Sequence, residues 1–203
     1  MSSSPDPRHR VKVEGSRIQT ARLVMRPWSP DDAAAALAVY GDADVARWLA
    51  PAMATVTDTN AMEGILHQWI SECSALEPPA GRWAIELAET GELIGGAAIL
   101  PLPPDGVDLE IGWQLARPFW GRGLATEAGH AAAHYAFTRG VDEVFAVVRP
   151  NNTRGIATAQ RVGMEWVGET DKYYGLTLQV YRLREGDLDV APLTERGSEA
   201  NDA

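Results

Sequence analysis

One stretch brings together most of the residues whose types and spacing could do chemistry: DLEIGWQLARPFWGRGLATEA, from Asp108 to Ala128. A strand-like run stops at Pro118, and Gly121 and Gly123 follow two residues apart before an alanine-rich helical stretch. Lacking a Cβ, these glycines let the loop turn sharply and bring its N–H groups close to a ligand. The first turn of the next helix leaves N–H groups without intrahelical partners at the positive end of its dipole. That combination suits an anion, a phosphate group above all. On the incoming strand, Glu110 shares a face with Gly112, opposite Ile111 and Trp113, so it offers a carboxylate base beside the loop. Tyr173 and Tyr174 supply phenols, and Asn152 sits in the turn RPNNT. Each has a plainer reading: a tight turn, an exposed strand carboxylate, packing aromatics and a helix cap.

The elements that must position these groups follow from periodicity and punctuation. Residues Met1 to Ser16 are polar and Pro-bearing and read as a tail. From Ile18 to Arg26 a first strand places Leu23 and Met25 on one face and Val24 on the other. Ser29-Pro30-Asp31-Asp32 opens a helix that runs to Tyr40. A short helical pattern occupies Asp42 to Leu49, and a better one Thr57 to Ser74, with an apolar stripe of Met62, Ile65, Leu66, Trp69 and Ile70. Two strands, Arg82 to Ala88 and Leu93 to Leu100, flank a Glu89-Thr90-Gly91-Glu92 hairpin turn. Gly95 and Gly96 within the second strand signal a bulge or a close neighbouring backbone. A strand from Val107 to Ala116, a helix from Arg122 to Arg139 and a strand from Val144 to Val148 form a right-handed parallel unit. A helix ending at Val162 before Gly163, then strands Glu165 to Thr170 and Leu176 to Leu183, complete the expected body. The domain expected is 17–185, with polar tails at 1–16 and 186–203.

Composition narrows the partners. Acidic residues outnumber basic ones 28 to 18, a formal charge of -10, which disfavours a nucleic-acid backbone and favours an amine-bearing partner. Cys73 is the only cysteine, in keeping with a reducing compartment. No apolar run reaches membrane length, and the N-terminus MSSSPDPRHR lacks the apolar stretch of a signal peptide. The expected location is the cytoplasm, with no membrane partner.

The segment WGRGLATEA, from Trp120 to Ala128, resembles the acetyl-coenzyme A loop of the GCN5-related N-acetyltransferases (GNAT), in particular the branch acting on ribosomal-protein N-termini. LVMRPWSPDDA and VVRPNNTRGIATAQRVGM are similar to the same family's first strand and helix and to its Asn turn and final helix. Gly123 and Ala125 fit the loop pattern, whereas Trp120 stands where the family has Arg or Gln, and Gly155 where it often has Ser. The resemblance implies an α/β domain: a mixed, mostly antiparallel sheet with one parallel pair and flanking helices. It implies that Gly121, Arg122, Gly123, Leu124, Ala125 and Thr126 hold the cofactor's pyrophosphate. It further implies that the pantetheine arm runs beside Leu115, Ala116 and Arg117, with a backbone N–H near Gln114 or Leu115 facing the thioester oxygen. Asn152 then orders the cofactor arm or substrate, or only caps its helix. Glu110 is the expected base, directly or through water, and Tyr174 the expected proton donor to the thiolate. Trp48 and Trp69 fall on helices that wall the family's acceptor pocket. The acceptor implied is a primary amine on a peptide or small molecule, and a homodimer is compatible with the family.

Other readings fit less of the chain. His130 and His134 have the spacing of half a zinc site, but Ala131 follows the first and no further ligand is evident, so no metal is expected. A dinucleotide site would need a third glycine where Thr126 stands, and a second parallel unit in place of the antiparallel hairpins. A domain that binds acetyl-coenzyme A without catalysis is the remaining alternative, motivated by Trp120 and Gly155.

Overall fold

The structure, a computed structural model, describes residues 10–188. Its elements in chain order are β1 (Lys12–Glu14), β2 (Arg17–Gln19), β3 (Leu23–Pro27), α1 (Ala33–Tyr40), α2 (Ala43–Leu49), α3 (Thr59–Ser74), β4 (Gly81–Leu87) and β5 (Leu93–Pro101). There follow β6 (Leu109–Leu115), α4 (Leu124–Phe137), β7 (Glu143–Val148), α5 (Thr153–Val162), β8 (Glu165–Thr170) and β9 (Leu178–Arg184). The described strands form one sheet in the order β1-β2-β3-β4-β5-β6-β7-β9-β8. Only β6 and β7 run parallel, which is the mixed sheet expected.

The sheet is covered on both faces. On one, α4 is buried nearly all round, and its small residues let it lie close to the strands. Gly129 shows how close: a Cβ there would sit 3.2 Å from the Trp113 ring. The core between them is built from Ile18, Leu23, Met25, Ile85, Ile94, Ile99 and Ile111. The opposite face carries α1, α2 and α3 over a cluster containing Trp28, Val39, Tyr40, Met62, Leu66 and Trp69. The α3 stripe therefore serves packing, with Met62, Leu66 and Trp69 buried. Ser29 and Asp32 form a reciprocal cap on a single 3-10 turn that leads into α1, as the Ser-Pro-Asp-Asp signal predicts.

Three expectations are corrected. The N-terminal tail does not extend to Ser16: Lys12–Glu14 pairs antiparallel with Arg17–Gln19, and Val11 and Ile18 are buried in the main core. The single first strand is two strands, because Thr20 to Arg22 turn the chain and the Thr20 N–H donates to the Leu23 carbonyl. At the other end, residues 185–187 form a 3-10 turn; the rest of the expected tail lies outside the described residues. The Gly95–Gly96 signal has both of its possible causes. The β4–β5 register shifts at Ile85/Glu86, and a Cβ on Gly96 would collide with the Tyr40 hydroxyl.

The parallel pair is where the sheet opens. A single residue pair, Glu110 with Phe145, joins β6 to β7 in register, whereas seven pairs join β6 to β5. Beyond that point the two strands diverge toward the C-terminal end of β6.

Candidate active site

The divergence leaves one edge of β6 free. Ala116 N–H donates to the Ile94 carbonyl, and Leu102 N–H to that of Asp108. In an antiparallel ladder the direction of the backbone groups alternates, so Glu110, Gly112 and Gln114 also face β5, while Trp113 and Leu115 face the gap. Of Gln114 and Leu115, only Leu115 turns its amide toward the gap. One gap-facing group is already engaged: the Trp120 indole Nε1–H donates to the Leu115 carbonyl at 2.6 Å.

A cleft of about 700 Å³ runs along this edge to the start of α4. Leu115, Gly121, Gly123, Leu124, Ala125 and Thr126 line it, with Asn152 on the far side. Gly123 is the residue before α4 and takes φ 74°, and no side chain caps the helix there. The first-turn amides therefore open into the cleft. By contrast Asp42, Asp58 and Asn152 cap α2, α3 and α5 through their side chains. The loop is tied down from outside by Arg22, whose Nη1 donates to the Arg122 carbonyl at 2.9 Å. The same guanidinium pairs with the buried Glu127 in the first turn of α4 at 2.6 Å. Thr20 Oγ1 and the Arg22 N–H donate to that carboxylate at 2.6 and 3.0 Å.

Three of the expected cofactor residues do not line the cleft. Ala116 spends its N–H within the sheet. Arg117 pairs with Asp44 at 3.1 Å, and Arg122 lays its guanidinium over Phe119 at 5.6 Å. The basic side chains that do line the cleft are Arg154 and Arg161 of α5. Arg154 stacks 4.5 Å over Trp120, so a guanidinium stands beside the place where the family's loop pattern has Arg or Gln. Sequence reasoning missed both arginines, although their spacing of seven puts them on one helix face two turns apart. Asn152 is the α5 cap, accepting from the Gly155 N–H at 3.0 Å, and it lines the cleft as well. A Cβ on Gly155 would press on Asn152 Nδ2 at 2.7 Å, so the small residue there leaves room for the cap.

A second recess of about 560 Å³ lies under α2 and α3 and meets the first at Glu110, Gly112, Gln114, Val147 and Asn152. Trp48 and Trp69 both line it. Glu110 sits at the junction, where burial pushes its carboxyl up to about 7 against the pull of Tyr174 and the Val147 amide. The Tyr174 hydroxyl donates to that carboxylate at 2.9 Å. Tyr174 lines only the second recess, away from the cleft, and is held there with φ 57°. The sequence expectation made Tyr174 the proton donor to the thiolate; in the structure its hydroxyl proton is directed at Glu110. Tyr173 is buried in a small cluster with Leu102 and Leu178. His130 and His134 are buried along α4, and among the described residues no three His, Cys, Asp or Glu gather as a metal site.

A buried carboxylate at the meeting of two recesses, beside a strand edge and an uncapped helix, is an arrangement that suits transfer between two separately held substrates. Residues 22–165 match the acetyltransferase (GNAT) domain model, and the chain belongs to that family. It is an acetyl-CoA-dependent N-acetyltransferase. The chain is 29% identical over 168 residues to N-acetyltransferase p20 of Bacillus licheniformis, itself uncharacterised, covering 81% of this chain and 92% of that protein. An acetyltransferase structure from Agrobacterium tumefaciens is 25% identical with a TM-score of 0.68, covering 87% of this chain and 98% of that one. The microcin C7 self-immunity acetyltransferase, solved with acetyl-CoA and AMP, shares the fold at 16% identity and a TM-score of 0.67. These superpose over 81% of this chain and 93% of the other. The uncapped amides of α4 and the free edge of β6 fit acetyl-CoA: one takes a diphosphate, the other the amides of an extended arm. No helix among the described residues is long and apolar enough to cross a membrane.

Proposed function

We propose that the protein acetylates the primary amine of a small molecule or peptide bound in the second recess, with Glu110 as general base. The observation that supports this most is the place of Glu110 between the two recesses, with a carboxyl poised near neutral pH. A base in that range can take a proton from an amine without being fully protonated itself. Gly121 to Thr126 bind the diphosphate through backbone amides, with Arg154 and Arg161 adding charge along the cleft. The Leu115 N–H donates to the thioester oxygen as negative charge develops on it, and Asn152 borders the path of the arm. The amine nitrogen forms the new N–C bond while the C–S bond breaks and the sulphur leaves with the electron pair. Glu110 takes the proton from nitrogen, directly or through water, and a proton returns to sulphur to give the amide and the free thiol. Tyr174 is a positioning residue that holds the Glu110 carboxylate on the acceptor side. The catalytic body corresponds to residues 17–185, together with the preceding strand.

Thiol release from acetyl-CoA in the presence of peptide, polyamine and aminoglycoside pools, with mass spectrometry of the products, tests the reading. Amine-dependent release that Glu110→Gln lowers at least a hundredfold is the expected result. Binding of acetyl-CoA without transfer to any amine would instead mark a non-catalytic module.

A further inference from the structure

The acceptor recess holds two guanidinium groups whose bonding is incomplete. Arg82 lines it from β4, stacked 5.0 Å from the centre of the Trp69 ring. Its only ion pair among the described residues is a long one, 3.8 Å to the half-exposed Glu72. Arg149 lines it from the end of β7 and donates through Nη2 to the Ala50 carbonyl. In both side chains the Nε is buried with no hydrogen-bond partner. Both Nε atoms are sealed from solvent, so what the recess offers a ligand is the charge of the two guanidinium groups that line it. These cations line a cavity in a chain whose formal charge is -10.

The floor leaves room for an anionic group to lie beside these cations. Arg82 pairs with Ala98 across β4 and β5, and Ala98 with Gly112 across β5 and β6. Arg82, Ala98 and Gly112 thus form one row on one face of the sheet, with only a methyl and a hydrogen between the arginine and β6. Two strand spacings, about 10 Å, separate the Arg82 backbone from the strand that bears Glu110. A molecule lying over Ala98 and Gly112 can reach Glu110 with one end and Arg82 with the other. The planar guanidinium fork matches a carboxylate through two parallel N–H···O bonds.

We propose that the acceptor is an amine that also carries an anionic group, a carboxylate by preference, with Arg82 as the residue that selects it. The inference rests on the second recess being the acceptor site and adds the class of substrate that it takes. The amine is directed to Glu110, and the carboxylate is held by Arg82, with Arg149 beside it.

Matched acceptors separate this from simple amine acetylation. In the full-length protein with saturating acetyl-CoA, kcat/KM is compared for L-phenylalanine against L-phenylalaninamide. The same is done for β-alanine and phosphoethanolamine against ethanolamine. The carboxylate-bearing member of each set is expected to be preferred at least tenfold. Arg82→Met is expected to bring the ratio to within about threefold of unity, and Arg82→Lys to restore part of it. The thermal shift caused by acetyl-CoA, read in each variant, reports that the fold and the cofactor cleft persist. Because the wild-type ratios need no variant, a misfolded Arg82→Met leaves the inference decidable. Equal use of charged and neutral acceptors, preference for the phosphate alone, or a ratio unmoved in a folded Arg82→Met overturns the inference and leaves acetyl transfer standing. No transfer to any amine, with acetyl-CoA bound, removes the acceptor reading itself and the inference with it.

Discussion

Glu110 shows what a single carboxylate gains and loses by its position. Its carboxyl is raised from 4.5 to about 7, chiefly by burial. Because the base must be ionised to act, kcat/KM is expected to rise with pH through about 7, a limb that a pH–rate profile would show. Stability runs the other way. Between about 4.5 and 7 the folded chain holds this proton more tightly than the unfolded chain, so the stability tied to it is fully present below 4.5 and lost as pH rises through 7. Glu110→Gln should therefore lower activity 10²- to 10⁴-fold and yet raise the melting temperature more at pH 8 than at pH 5. The stabilisation is on the order of 1–3 kcal/mol. Tyr174→Phe removes a hydrogen bond that lowers the Glu110 pKa, so the acid limb of the rate profile should move to higher pH. The face on which Glu110 lies was legible in the sequence, because strand alternation sets it. The surroundings of Arg82 were not, since they depend on a row across three strands whose register no local pattern encodes. Arg154 was hidden for a related reason: it matters through Trp120, a neighbour only in the fold.

At the scale of elements, the cofactor loop depends on a contact made from outside it. Glu127 is buried in the first turn of α4 and is satisfied by Thr20 and Arg22 from the turn between β2 and β3. Arg22 also holds the Arg122 carbonyl, which fixes the loop that leads into the open amides. Arg22→Ala leaves the buried Glu127 charge without its guanidinium, but Arg22 is itself 39% exposed, so water can replace part of what is lost. Thr20 and the Arg22 backbone N–H remain, so roughly 1–2 kcal/mol of stability should be lost in denaturant titration. The KM for acetyl-CoA should rise with it. The sequence revealed α5 almost to the residue because Asn152 and Gly163 are local signals of where a helix starts and stops. It concealed β1 and β2 despite a Gly15-Ser16 hairpin turn, since strands of three residues with charged outer faces look like a polar tail. Their reason for existing is tertiary: Val11 and Ile18 are buried in the core beneath α4.

For the whole molecule, the decisive feature is that the sheet parts where its only parallel pair begins to diverge. Strand order to β7 follows the sequence and could be inferred, but the gap is a property of two neighbouring strands that stop pairing after Glu110 and Phe145. A chain built this way spends fold stability on an open edge that a ligand completes, so acetyl-CoA should stabilise the protein globally. A ligand at one hundred times its Kd adds about 2.7 kcal/mol when it binds only the folded form. For a chain of this size each kcal/mol moves Tm by about 2–4 °C, so a shift of roughly 5–10 °C is expected in a thermal scan. Nicotinamide dinucleotides, whose diphosphate alone matches the site, should give almost none. Gly123→Val separates the loop from the rest of the cleft. A Cβ there would meet nothing nearer than Arg22 Nη2, at 3.6 Å, so space is not the obstacle. The obstacle is φ 74°, which a β-branched residue leaves, turning the amides away from the diphosphate. The variant should stay folded, with Tm lowered by the strain of that one residue, and should lose most of the acetyl-CoA shift. A full shift in Gly123→Val would mean that the strand edge binds the cofactor without the helix start.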